Sequence, residues 1–291
     1  MRMVHTRKSS IVTVLALFLL TCAPAIRTSS VAGKMTADEL VAKHLESIGS
    51  AKARAAINTR IISGTSQVIF RTPPPGQAIG RAVLASEGIK SLVGMSFPSP
   101  VYPREQLVFN GTSFMAAFVT PGVRSVLGNF LMTNDLVFKQ GLIGGTLTSA
   151  WPLLDPSVRN SQVEYAGTRR ADDRMLHQLK YLPRGGSDLK ITLFFDSETF
   201  QHVRTEYERI IPAPIGDRSY TNVQTRELRY KMIEDFSLFK PESGLNLPHI
   251  YGIKLAVDTQ NGTFLADWVI KLTQFDFNQK IDQSAFSFSA N

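Results

Sequence analysis

The sequence contains little of what disulfide, metal and catalytic sites require. Its 291 residues include one cysteine, Cys22, so no internal disulfide can form. It has no His-Glu-x-x-His sequence, no cysteine pair and no Gly-x-Ser-x-Gly sequence. The glycines of residues 141–145 are not followed by the Lys and the Ser or Thr of a phosphate-binding loop. We therefore predict a protein that is not an enzyme, binds no metal and needs no cofactor.

Long hydrophobic runs are also missing. A composition of 43% hydrophobic and 19% charged residues is typical of a globular protein and excludes a disordered tail or a polytopic membrane protein. The apolar run of residues 11–20 is shorter than the about 20 residues that a membrane-spanning helix needs. It follows Arg2, Arg7 and Lys8 and precedes the small residues 23–25. This order is typical of a secretory signal peptide.

The N-terminal segment decides the predicted location. We predict that residues 1–25 are a removed signal peptide and that residues 26–34 are a linker. Residues 19–22 also resemble the box in which a bacterial cysteine is lipidated, so attachment of the protein to a membrane through Cys22 is an alternative. Cleavage after Ala25 would remove three basic residues and no acidic one, which lowers the formal charge from +8 to +5 (8 − 3). We expect a periplasmic protein with no nucleic-acid partner.

Two helical stretches interrupt a β-rich pattern. Thr36 and Glu39 form a capping box, and the helix that they begin is predicted to end at Gly49. His44 lies on the apolar stripe of this helix and is predicted to be packed or half-exposed, not to bind a ligand. Residues 124–140 have a second apolar band that ends at Gly141. That helix is predicted either to cover a hydrophobic opening or to fill the core.

Most of the other residues alternate between apolar and polar, which predicts strands with one buried and one wet face. The predicted strands are residues 59–70, 79–85, 89–97, 107–109, 112–118, 163–167, 174–181, 189–195, 200–211, 228–239, 249–257 and 264–277. Asn110-Gly111 and Asn261-Gly262 are typical of tight hairpin turns, and sheets with one wet face are as a rule antiparallel. We predict a mainly β (α+β) domain over residues 35–291, with a single curved antiparallel sheet covered by helices.

Three histidines lie on three different predicted strands. His177, His202 and His249 are predicted to be surface or rim side chains. A hydrolase whose site is made of scattered residues would need one of them, and it remains an alternative.

The C-terminal third contains motifs with a recognisable order. Residues 195–199 read Phe-Asp-Ser-Glu-Thr, residues 244–249 read Gly-Leu-Asn-Leu-Pro-His, and residues 284–288 read Ser-Ala-Phe-Ser-Phe. In this order they resemble the outer-membrane lipoprotein-sorting carriers (LolA/LolB-like). The resemblance implies an incomplete β-barrel around a hydrophobic cavity, closed by helices, that holds lipid or the acyl chains of lipoproteins in the periplasm. It also implies an arginine that gates the cavity, for which Arg60, Arg71 and Arg81 are candidates by position.

The predicted function is that of a non-enzymatic carrier whose partner is a lipid or an acylated lipoprotein. The residues expected to line its cavity share one face of their strands or lie on the second helix. They are Val93, Met95, Phe97, Phe130, Leu131, Leu193, Tyr207, Trp268 and Ile270. The alternative is an envelope sensor or scaffold that uses the same fold to bind a protein partner.

Overall fold

The structure is a computed structural model that describes residues 35–72, 74–155, 161–213, 227–259 and 262–287. The predicted signal peptide (residues 1–25, with Cys22), the predicted linker (residues 26–34) and Asn261 of a predicted turn lie outside these residues. Within the described part of the chain, no helix is both long enough and apolar enough to cross a membrane.

Twelve strands form one antiparallel sheet. The strands are β1 Thr59–Phe70, β2 Gly76–Glu87, β3 Lys90–Ser96, β4 Arg104–Phe109, β5 Phe114–Ala116, β6 Gln162–Ala171, β7 Arg174–Leu182, β8 Lys190–Asp196, β9 His202–Ile211, β10 Leu228–Glu242, β11 Leu245–Thr259 and β12 Gly262–Phe277. Their order is β5-β4-β3-β2-β1-β12-β11-β10-β9-β8-β7-β6. The first and last strands therefore pair in the middle, and β5 and β6 are free edges. The predicted fold class, a single antiparallel sheet that does not close into a barrel, is confirmed.

The sheet bends at glycines that allow close backbone approach. The pairing of β1 with β12 shifts register between Ser63 and Gly64, and a Cβ atom added at Gly64 would lie 1.9 Å from the carbonyl oxygen of Lys271. A Cβ atom at Gly80 of β2 would lie 1.8 Å from the carbonyl oxygen of Ser96. Bulges and glycines of this kind introduce curvature into a sheet. We call the curved sheet the half-barrel, and the face that carries the main hydrophobic core is its inner face.

The first helix begins and ends where the sequence predicts. Helix α1 spans Ala37–Ile48, the Thr36 hydroxyl accepts a hydrogen bond from the Glu39 amide at 3.1 Å, and Gly49 follows the last turn. Its buried stripe packs into the main core, and a short helix α2, Ala51–Ala55, follows.

The second predicted helix is broken into two. Helix α3 spans Val126–Thr133 and helix α4 spans Leu136–Lys139. Between them Asn134 has φ −122° and ψ 47°, and its side-chain amide donates to the carbonyl oxygen of Phe130 at 2.7 Å. Asparagine side chains compete with the backbone for such hydrogen bonds and interrupt helices. The prediction of one continuous helix over residues 124–140 is therefore wrong.

Candidate functional site

The structure brings the predicted cavity residues together in one hydrophobic core. Seven come from the sheet region and two from α3, and none is more than 6% exposed. They are Val93, Met95, Phe97, Phe130, Leu131, Leu193, Tyr207, Trp268 and Ile270. Their contact with a ligand stays a prediction.

The space that these residues surround is filled by another part of the chain. Residues 141–154, which we call the inner segment, follow α4 and contain a 3-10 turn at Gly145–Leu147. All of them except Ser149 and Leu154 are buried, and none is charged. Trp151 is 1% exposed and stacks on His202 with ring centroids 4.5 Å apart. The inner segment, rather than the predicted second helix alone, therefore fills the half-barrel.

A few polar contacts join the inner segment to the elements around it. The amide of Gly144 donates to Oε1 of Glu234 at 2.8 Å, and the indole N–H of Trp151 donates to Nε2 of His44 at 3.1 Å. The amide of Ser149 donates to the hydroxyl of Ser86 at 2.9 Å, and Arg60 donates to the carbonyl oxygen of Thr146. These contacts involve individual side chains, not a strand ladder.

Of the side chains that contact the inner segment in this way, Glu234 accepts the most hydrogen bonds. Its carboxyl group is fully buried and accepts hydrogen bonds from the hydroxyls of Tyr207 at 2.6 Å and Tyr251 at 2.5 Å, besides the one from Gly144. Burial raises the pKa of Glu234 to about 7, although the hydrogen bonds from Tyr207, Tyr251 and Gly144 act in the opposite direction. The carboxyl group therefore changes charge near neutral pH.

His202 contradicts its prediction as a surface or rim residue, because it is fully buried. The pairing of β8 with β9 shifts register between Phe194 and Phe195, so that Phe195 pairs with His202 and Phe194 with Arg204. This β-bulge turns His202 toward the inner core and places Val203 in a cluster on the other side of the sheet. Simple alternation along the strand does not reveal such a shift.

His202 lies close to His44, and both are neutral at pH 7. Their ring centroids are 6.2 Å apart, and His44, which was predicted to be packed or half-exposed, is fully buried. Burial lowers the pKa of His44 to about 4 and that of His202 well below its usual value. No group of three or more His, Cys, Asp or Glu side chains in the described ranges could hold a metal ion.

A small opening lies between α3 and the sheet. It has a volume of about 220 Å³ and is lined by apolar or aromatic side chains, which are Val126, Phe130, Ile211, Tyr230 and Val257, and by the polar residues Asn129, Thr133, Asn134 and Arg209. The rings of Phe130 and Tyr230 are 6.0 Å apart and stacked. Ligand pockets usually measure about 300–1,000 Å³. An acyl chain could enter here only if α3 or the inner segment moved.

Two further cavities were not predicted from the sequence. A trough of about 810 Å³, lined partly by Val83, Leu92, Arg81 and Arg104, lies on the other side of β1–β4, where Ala285 also borders it. A polar cavity of about 360 Å³ lies beside α2 and is described below.

The structure separates the three candidate gating arginines. Arg60 is 2% exposed and contacts the inner segment. Arg71 is exposed and forms an ion pair with Asp267, and Arg81 is exposed in the outer trough. Of the three, the position of Arg60 alone would let its side chain respond to movement of the inner segment.

Comparisons with known proteins give similar structures. No protein-family model and no curated protein matches the chain. A LolA superfamily protein from Nitrosomonas europaea shares 12% identity and a TM-score of 0.45, over 88% of this chain and 99% of that one. A putative outer membrane lipoprotein-sorting protein domain from Vibrio parahaemolyticus shares 12% identity and a TM-score of 0.40, over 84% and 97%. A DUF1329 family protein from Desulfovibrio piger shares 10% identity and a TM-score of 0.43, over 86% of this chain and 96% of that one.

These neighbours include the lipoprotein-sorting family that the C-terminal motifs resemble. The identities are 10–12% and the TM-scores are below 0.5.

Proposed function

We propose that this protein is an exported, non-enzymatic carrier that binds lipid or lipoprotein acyl chains inside the half-barrel, in the periplasm. The observation that carries the proposal is the way in which the interior is filled. An uncharged segment without strand pairing occupies it, and a few side-chain contacts hold that segment in place. A ligand could therefore exchange with the segment without disturbing the sheet.

The exchange is physically reasonable because both occupants are apolar. An acyl chain gains about 0.8 kcal/mol for each buried methylene. The wall that it would contact consists of the predicted cavity residues, among them Leu193 of β8 and Trp268 and Ile270 of β12, which belong to the main core. The opening beside Phe130 is the natural point of entry, since it already separates α3 from the strands.

The two tryptophans allow a direct test, because one lies in the inner segment and the other in the wall. In a Trp268→Phe variant the emission of Trp151 reports on the inner segment. Adding a long-chain fatty acid should shift this emission to the red as Trp151 leaves its buried position. In the matched Trp151→Phe variant, the emission of Trp268 should not shift to the red. Native mass spectrometry of the wild-type protein should show bound lipid.

The proposal fails if the purified protein carries no lipid, takes up no fluorescent fatty acid and leaves the emission of Trp151 unchanged.

A protein partner is the second candidate, and the free edge of β6 favours it. Among the described residues, this ten-residue strand pairs with β7 alone, which leaves its other edge available to an added strand. A sensor or scaffold would retain a partner in stoichiometric amount in a pull-down from envelope extracts. A charged or proline substitution at the β6 edge should then release the partner without changing fatty-acid uptake.

A further inference from the structure

The most buried basic side chain of the inner face has no counter-ion among the described residues. Arg60 lies on β1 and is 2% exposed; one guanidinium nitrogen donates to the carbonyl oxygen of Thr146, and Nε has no hydrogen-bond partner. Burial lowers the pKa of Arg60 only to about 10, and no acidic side chain contributes to that shift. The guanidinium is therefore charged at physiological pH without a nearby carboxylate.

Two arginines that are more exposed than Arg60 do have acidic partners. Arg71 pairs with Asp267 at 2.5 Å, and Arg204 contacts Asp235 at 2.7 Å as well as Asp172 at 2.9 Å. A buried charge needs a counter-ion more than an exposed one, because water no longer solvates it. Within the described ranges, Arg60 thus lacks an acidic partner although its burial makes such a partner more important than for Arg71 or Arg204.

A polar cavity lies directly beside Arg60. It measures about 360 Å³, and a second arginine, Arg54 of α2, lines it as well. The nitrogen Nη1 of Arg54 donates to the carbonyl oxygens of Leu45, at 2.6 Å, and Gly49, which holds the guanidinium in place. The described lining residues include no acidic one; they are Ala51, Arg54, Ala55, Ile57, Asn58, Arg60, Gly88, Ser149 and Leu154.

We propose that this cavity binds the phosphate group of a small phosphomonoester or of a lipid headgroup. Arg60 supplies a buried charge, Arg54 of α2 supplies a second one, and Asn58, which is exposed, adds an amide donor. Guanidinium groups match phosphate oxygens in geometry as well as charge. The volume exceeds that of a single phosphate ion, which leaves room for the attached alcohol. This proposal holds whether or not the half-barrel interior accepts acyl chains.

Calorimetric titration of the purified protein tests the site with three probes: inorganic phosphate, glycerol 3-phosphate, and lysophosphatidic acid below its micelle concentration. Glycerol 3-phosphate should bind, and Arg60→Gln should weaken its binding by about tenfold or more. Arg81→Gln is the matched control, since Arg81 lines the outer trough and not this cavity. It should leave the affinity unchanged.

A second variant keeps the test decisive if Arg60→Gln does not fold. Ala55→Glu places a carboxylate in the cavity and should abolish binding of glycerol 3-phosphate while raising the melting temperature. Ala56→Glu adds the same charge at a neighbouring exposed position that does not line the cavity, and it should leave binding intact.

Binding of the water-soluble probes assigns the site to a free phosphomonoester or phosphate ion. Binding of lysophosphatidic acid alone, lost in Arg60→Gln, assigns it to a lipid headgroup. The proposal is overturned if no probe binds, or if lysophosphatidic acid binds equally well to Arg60→Gln and wild type. Uptake of an uncharged fluorescent lipid depends on the half-barrel interior and not on this cavity, so failure of the carrier function would be seen separately.

Discussion

The wall of the half-barrel and the inner segment are similarly buried, but they are held in different ways. The wall strands β10, β11 and β12 are 15 to 16 residues long, and each pairs with a neighbour on both sides. The inner segment joins its surroundings mainly through individual side chains such as Glu234 and His44. Burial therefore does not measure how firmly a region is held. Substitutions can release the inner segment, whereas the backbone ladder preserves the wall.

Two buried carboxyl groups, those of Glu234 and Glu105, differ in how many hydrogen bonds they accept. Glu234 lies on β10 beneath the inner segment and accepts three hydrogen bonds. Glu105 lies on β4 near α3 and accepts one hydrogen bond, from the hydroxyl of Tyr102 at 2.6 Å. Its Oε1 has no hydrogen-bond partner of good geometry. The Ser125 hydroxyl is nevertheless close enough to lower the pKa of Glu105. Burial raises the pKa of Glu105 to about 7 as well. Each carboxyl group thus lies where a covering element meets the sheet.

The largest expected effect comes from truncating the two tryptophans, one in each region. Both Trp151 and Trp268 are 1% exposed, so Trp151→Ala and Trp268→Ala should each lower the free energy of unfolding by about 3–5 kcal/mol. Their effects on binding should differ in sign. Trp151→Ala empties part of the interior and should increase fatty-acid uptake, whereas Trp268→Ala removes part of the wall and should decrease it.

Denaturant unfolding and a fluorescent fatty-acid titration measure the two quantities on the same samples. Equal loss of uptake in both variants would mean that the inner segment is a permanent part of the core.

Ionisation of Glu234 should have a smaller effect and lower the free energy of unfolding by about 3 kcal/mol. Its pKa is raised to about 7 in the folded protein, so the folded state binds the proton more tightly than the unfolded state does. The stability that this group contributes is therefore greatest below about pH 4.5 and is lost as the pH rises through 7. Glu234→Gln retains a carbonyl acceptor for Gly144 and removes the charge, so it should be more stable than wild type at pH 8 and about equal to it near pH 4.5.

The measurement is the difference in unfolding free energy between wild type and variant across this range. The buried histidines contribute in the opposite direction, because the lowered pKa of His44 makes stability fall as the pH drops from about 6.5 toward 4. Taking the difference cancels their contribution. Glu105→Gln should show a similar pH-dependent difference, because burial raises the pKa of Glu105 to about 7 as well. A difference for Glu234→Gln that does not vary with pH would contradict the assignment for Glu234.

Much of the sheet could be predicted because its strands follow simple alternation. The bounds of β1, residues 59–70, are the predicted ones, and most other predicted strands overlap the observed strands closely. Asn110-Gly111 correctly marks a hairpin, but Asn110 accepts hydrogen bonds from two backbone amides in a longer loop between β4 and β5. Errors arise where a side chain competes with the backbone, as at Asn134, or where a bulge changes the parity, as before His202.

The contents of the half-barrel were harder to predict than its wall. Residues 140–154 contain no charged side chain, and this was the available signal that the segment is buried. Periodicity could not place it, because it forms neither a long helix nor a strand. The isolation of Arg60 from acidic groups is likewise a property of three-dimensional packing, since its sequence neighbours do not determine which side chains surround it.

The smallest expected effect is a loss of about 1 kcal/mol in the free energy of unfolding on removal of the N-cap of α3. It tests whether α3 can move away while the sheet stays intact. The hydroxyl of Ser125 caps α3 by accepting a hydrogen bond from the Gly128 amide at 2.7 Å, so Ser125→Ala should destabilise the first turn of this helix. If α3 covers the entrance beside Phe130, fatty-acid uptake should become faster in stopped-flow measurements.

Thr36→Ala removes the corresponding cap of α1, where the Glu39 amide donates to the Thr36 hydroxyl, and it should cost a similar free energy. Because α1 does not line the opening, uptake by this variant should keep the wild-type rate. A rate that rises equally in both variants would mean that general loosening of the fold, and not release of α3, admits the ligand. A rate that rises only in Ser125→Ala would place the entrance between α3 and the strands that carry Tyr230 and Val257.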